Sequence, residues 1–141
     1  MAALRKFVAA LALAGAAVSA QAADPVKAVY HLNEGIQQAS RALANIRNHL
    51  KAAPDTRIVV VTHGAGIEFL LEGAQDARGR PFSGAIGDLA NRGVQFRVCN
   101  NTLVARDIPK EQVIMEATIV ESGVAEVARL QAVEGYAYLR P

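Results

Sequence analysis

The chain has 141 residues, with 15 Lys and Arg against 13 Asp and Glu, three His and one Cys. That length fits one domain with a sizeable core. A formal charge of +2 excludes a strongly basic nucleic-acid binder, and a single cysteine excludes a scaffold of intrachain disulfides.

The first segment has the layout of a secretory signal peptide. Arg5 and Lys6 form a positive start, residues 7–18 are an apolar run rich in Ala and Leu, and Ala20-Gln21-Ala22 is a small-x-small cleavage site. The apolar run is too short for an ordinary transmembrane span and no second long one follows, so cleavage leaves no stable membrane insertion. This predicts a signal peptide over 1–22, a mature domain over 23–141 and a periplasmic location. The charge excess lies wholly in Arg5 and Lys6. Without them the domain is near neutral, with little attraction for nucleic acid or an anionic membrane.

The mature chain opens on a short strand, Ala28-Val29-Tyr30-His31-Leu32, ending at Asn33. Residues 34–52 follow with helical spacing, since Ile36, Ala39, Ala42, Leu43, Ile46 and Leu50 share one stripe. Ala53-Pro54-Asp55 breaks the helix. Arg57-Ile58-Val59-Val60-Val61-Thr62 is a β-branched run of the kind buried on both faces of a parallel sheet. His63-Gly64-Ala65-Gly66 turns the chain into a second helical stretch, 67–71. Residues 73–81 are polar and rich in breakers, hence a surface loop. Residues 82–92 are helix-like, with Ile86 and Leu89 inward, Ser83 as N-cap and Gly93 as the closing glycine.

The third strand, over 93–98, leads to Cys99, with a short helical turn starting near Thr102. Ala117-Thr118-Ile119-Val120 is the fourth strand. Residues 123–133 form a helix carrying Val124, Val127 and Leu130, and Tyr136-Ala137-Tyr138-Leu139 is the fifth strand. Strands alternate with helices throughout, which predicts a three-layer α/β domain with a mostly parallel, five-stranded sheet.

In such a sheet the carboxyl ends of the strands share one edge, and ligand sites gather there. The first strand brings His31 and Asn33 to that edge, the second Thr62, His63 and Gly64, the third Cys99, Asn100, Asn101 and Thr102. Cys99 is the principal candidate. A lone cysteine in an exported chain is a free thiol, an intermolecular bridge, a reactive group or an inert buried residue. Helix N–H groups or nearby cations would lower its pKa and favour the nucleophilic thiolate. His63 is either the cationic or proton-shuttling neighbour of that thiolate, or a histidine that merely tips a buried strand.

His31 lies within the strand pattern and reads as a satisfied core residue, and His49 falls on a solvated helix face. Gly64-Ala65-Gly66 could offer N–H groups to an anion, but it lacks the dinucleotide and Walker signatures and reads first as a tight turn. Glu68 reads as a helix-dipole partner. The three histidines and one cysteine have no metal-ligand spacing, and no G-x-S-x-G elbow is present.

Over nearly the whole mature chain the sequence resembles the DsrE/DsrF-like proteins, which include sulfur-relay subunits of the TusD type. The resemblance rests on Val29-Tyr30-His31-Leu32-Asn33, on Val60-Val61-Thr62-His63-Gly64 and on Val94-Gln95-Phe96 leading to Cys99-Asn100-Asn101-Thr102-Leu103. The closing Gly135-Tyr136-Ala137-Tyr138-Leu139-Arg140-Pro141 adds to it, and the cysteine segment is the most specific part.

The resemblance implies a flavodoxin-like fold and a homo-oligomer, a trimer or hexamer. It also implies a persulfide on Cys99 that is passed by thiol attack to or from a partner protein or a small sulfur compound, with no cofactor. His63, Gly64, Asn33, Asn100, Asn101 and Thr102 would shape the pocket. Two rival readings stand beside this one. A non-catalytic oligomeric binding module would keep Cys99 buried and inert. A thiol redox enzyme is disfavoured because no C-x-x-C motif is present.

Overall fold

Five short strands form one sheet in the computed structural model, which describes residues 23–141. The proposed signal segment, 1–22, lies outside the described residues. The strands are β1 (Lys27–Leu32), β2 (Arg57–Thr62), β3 (Gln95–Cys99), β4 (Ala117–Val120) and β5 (Ala137–Leu139). Their spatial order is β4-β3-β2-β1-β5, and every neighbouring pair is parallel. Between them run α1 (Ile36–Ala52), a 3-10 helix (Gly64–Leu70), α2 (Ser83–Asn91), α3 (Asn100–Ala105), a 3-10 turn (Lys110–Gln112) and α4 (Gly123–Ala132).

The two faces of the sheet are covered unequally. Successive strand side chains alternate between faces. Ala28, Tyr30, Leu32, Ile58, Val60, Phe96 and Val98 enter the larger core, against α1, α2, α3 and the first 3-10 helix. Val29, Val59 and Val61 enter a smaller core with Val127, Leu130 and Tyr136. This explains the unbroken β-branched run of β2, because neither of its faces meets water. Among the described residues the second face has one helix, α4, as its cover. Its two edge strands, β4 and β5, have no fully buried residue. The architecture is the three-layer α/β sandwich expected, and the sheet is wholly parallel.

Local deviations from the sequence reading have physical causes. The segment after β2 winds as a 3-10 helix from Gly64 instead of an α-helix from 67. It must turn at once beneath the end of β1: a Cβ on Gly66 would lie 2.2 Å from the Leu32 carbonyl oxygen, a contact that glycine alone permits. α3 begins at Asn100, directly after Cys99, two residues before the expected Thr102. Ser83 is the first residue of α2 and not its cap: Phe82 holds the cap position without a side-chain bond.

Gln38 is buried within α1, and its Oε1 accepts the backbone N–H groups of Asn33 (2.9 Å) and Glu34 (2.8 Å). That pairing fixes the β1–α1 connection and satisfies an amide that would be costly to bury unpaired. Among the described residues no helix is long and apolar enough to cross a membrane.

Candidate functional site

Cys99 is the last residue of β3 and the cap residue of α3. Strand alternation turns its side chain to the α4 face, with Gln95 and Arg97. Its residue is 4 % exposed. Burial pushes the thiol pKa up. Hydrogen bonds from the Gly123 N–H and from the hydroxyl and N–H of Thr102 outweigh it, and the net effect is downward from 9.0. These donors stabilise the charged form, so the thiolate is more accessible than in an ordinary cysteine.

Two of these contacts have clear structural origins. Gly123, the first residue of α4, packs on the site so closely that a Cβ there would lie 3.1 Å from His63 Cβ and 3.2 Å from Cys99 Cβ. His63 and Cys99 therefore both lie beneath the same glycine. The Thr102 Oγ1 accepts the Gly64 N–H at 3.0 Å while its proton serves the sulfur. One hydroxyl thus joins the turn after β2 to the thiol on β3.

His63 turns its ring away toward β1. Its Nε2 lies 2.7 Å from Nε2 of His31, and His31 Nδ1 lies 2.7 Å from the Tyr138 hydroxyl. Both histidine pKa values are lowered. Burial is the cause for His63, and for His31 burial comes first, followed by the charges of His63 and Arg140. Cys99, His63, His31 and Tyr138 thus come from β3, the end of β2, β1 and β5, four adjacent strands, all on the α4 face. His31 has both ring nitrogens satisfied, as expected, but is half-buried within this row and does not belong to the core. His49 is likewise half-buried, its Nδ1 2.9 Å from the Tyr30 hydroxyl.

The remaining residues named from the sequence have distinct placements. Asn33 presents its backbone oxygen to Gly64, and its side-chain Oδ1 is buried without a partner. Asn100 Oδ1 is also buried without a partner. Asn101 donates its backbone N–H to the Glu121 oxygen at 3.2 Å, and the residue itself is exposed. Glu68, expected as a dipole partner, pairs with Arg106 at 3.1 Å, and the same guanidinium reaches the Gly64 oxygen at 3.3 Å.

Sequence reasoning missed Gly123, Tyr138 and the role of His31. The available signal was parity: His31, His63 and Cys99 occupy the same face as Val29, Val61 and Arg97 of their strands. Arg97 pairs with Glu126 of α4, and Glu126 also pairs with Arg129, which anchors the first turn of α4 over the sulfur. No group of three or more His, Cys, Asp or Glu suited to a metal occurs among the described residues. A cavity of about 210 Å³ lies elsewhere, lined by Ser40, Arg47, Asp76, Arg80 and Phe82.

The geometry can be set beside known proteins. A protein of unknown function, MTH1491 from Methanobacterium thermoautotrophicum, superposes with a TM-score of 0.72 at 31% identity. That match covers 82% of this chain and 99% of the other. The ychN protein from E. coli superposes with a TM-score of 0.65 over 81% of this chain and 99% of its own, and at 12% identity it shows a shared fold alone. No curated protein sequence matches the chain. The DsrE/DsrF-like family matches over residues 9–141. With that span, and with the fold of these neighbours, the chain belongs to the DsrE/DsrF-like family.

Proposed function

We propose that this protein is an exported, periplasmic sulfur carrier that holds sulfane sulfur as a persulfide on Cys99. The observation that carries the reading is the place of Cys99, at the carboxyl end of β3, directly before α3 and close beneath Gly123. Donors there lower its pKa and so favour the thiolate that must attack a donor's terminal sulfur. A carrier needs no second cysteine, because the sulfur arrives and leaves by exchange with other molecules. In this reading Thr102 and Gly123 poise the thiolate, Gly64 holds the Thr102 hydroxyl in place, and Asn101 opens the pocket to the surface. His63 borders it, and Asn33 and Asn100 line the surrounding turns with polar groups. Membership of the DsrE/DsrF-like family supports the sulfur chemistry.

The reading includes a homo-oligomer, a trimer or hexamer. Met115, Val104, Val124 and Val133 are exposed apolar side chains that subunit contacts would cover. Sedimentation of the purified mature protein tests this directly.

The test of the carrier is sulfur loading. Native protein incubated with inorganic polysulfide should gain the mass of one sulfur atom, reversible by a reducing thiol. The Cys99→Ser variant should gain none. An equal adduct on both, or none on wild type, contradicts the carrier. A second reading, a binding module with an inert cysteine, is favoured by one observation, the 4 % exposure of Cys99. It predicts a thiol that resists maleimide until the protein is denatured.

A further inference from the structure

We propose that Tyr138, His31 and His63 form a proton relay that serves sulfur transfer at Cys99. The proposal rests on the carrier reading and names how that site manages its protons. Its carrying observation is the unbroken chain of contacts across the sheet: Tyr138 hydroxyl to His31 Nδ1 at 2.7 Å, then His31 Nε2 to His63 Nε2 at 2.7 Å. The inner end is His63, which follows β2 as Cys99 ends the neighbouring β3, the Cβ atoms of both lying close to Gly123. The outer end is Tyr138, 41% exposed.

The chemistry of imidazole makes the chain directional. Neutral His31 has one donor and one acceptor nitrogen, and both are engaged. A proton entering at one nitrogen therefore leaves from the other, and the whole chain reverses polarity. Two facing Nε2–H groups cannot coexist at this distance, so the pair works as neutral rings sharing one proton. Burial keeps both rings neutral, and the positive charge of Arg140 acts the same way on His31. His63 Nδ1 makes no hydrogen bond among the described residues and is left free to take a proton.

Sulfur transfer from a small persulfide, R–S–SH, needs such a device. The Cys99 thiolate attacks the outer sulfur. A bond forms between the Cys99 sulfur and that outer sulfur, the S–S bond of R–S–SH breaks, and its electron pair stays on the sulfur of R–S⁻. The outer sulfur still carries its proton, yet a persulfide is more acidic than the departing thiol. His63 accepts that proton, the tautomers of His63 and His31 shift, and Tyr138 releases one to water at the surface, from which R–S⁻ is protonated. The products are Cys99–S–S⁻ and R–SH. Protons and electrons balance with no oxidant.

The test compares two reactions of one thiol. Single-turnover loading from glutathione persulfide requires proton transfer, whereas alkylation of the thiolate by iodoacetamide does not. Tyr138→Phe and His31→Gln should slow loading about 100-fold, the scale of acid–base catalysis. Both should leave alkylation within about twofold, a split that loss of structure would not produce. Unchanged loading in both variants, with a wild type that loads, overturns the relay alone. Equal slowing of both reactions also overturns it, by assigning the row a structural role. A wild type that takes no sulfur overturns the carrier reading and the relay with it.

Discussion

His31 and His63 are bonded through their Nε2 atoms at 2.7 Å, so only one of the two can carry a proton between them. Burial lowers the pKa of both below the usual 6.5, with His63 and Arg140 adding to the effect on His31. The unfolded chain therefore takes up protons near pH 6.5 that the folded chain refuses. Stability should fall as pH drops through about 6.5 and flatten below the folded pKa. Urea midpoints measured across that range should show this slope in wild type and lose it when both residues are changed to Gln. A wild-type midpoint that holds or rises on acidification would refute the arrangement.

Gly66 sits where a Cβ would lie 2.2 Å from the Leu32 oxygen. Gly66→Ala should cost about 3 kcal/mol, because backbone has to move. Gly87, inside α2, has nothing within 4 Å of the corresponding point. Gly87→Ala should instead stabilise by about 0.5–1 kcal/mol through helix propensity. Chemical denaturation reads both. Equal effects would show that the close approach beneath β1 is not a constraint.

Thr102 joins two elements through one hydroxyl. Thr102→Val leaves the Gly64 N–H without its acceptor and removes a donor from the Cys99 sulfur. The variant should lose about 1 kcal/mol of stability. Its thiol pKa should rise toward 9.0, and Thr102→Ser should retain the wild-type value. Thiolate absorbance against pH, with Cys99→Ser as the blank, measures the change. An unmoved pKa in the Val variant would remove Thr102 from the account.

Arg97 and Glu126 tie α4 to β3 two residues before Cys99, and both side chains are mostly buried. Glu126→Gln weakens that tie at a cost of about 2 kcal/mol. The first turn of α4 should then open more often, and maleimide labelling of native Cys99 should quicken. Labelling at the wild-type rate would mean that access to the sulfur does not pass through the start of α4.

Much of the fold is legible in the sequence because its strongest signals are local. Ile58 to Val61 is a run that only a strand buried on both faces accommodates, and the stripe of α1 from Ala39 to Leu50 repeats at helical spacing. Cys99 and His63 are likewise legible as strand-end residues. The His31–His63 contact depends on β1 and β2 being neighbours, and Tyr138 joins them only because β5 adds to the outer edge of β1. Strand order is a global property that no local window carries. Gly123 was hidden for a different reason. A glycine at a helix start looks like any other in the sequence, and only the packed structure reveals His63 and Cys99 directly beneath it.

The central claim is that Cys99 is a thiolate poised for reaction, and its alkylation rate in the native protein tests that most directly. The rate with iodoacetamide, followed against pH, should rise to a plateau with its midpoint below 9.0, the ordinary thiol value, and no labelling should occur in Cys99→Ser. A thiol that reacts only after unfolding, or whose native midpoint lies at or above 9.0, would contradict the account.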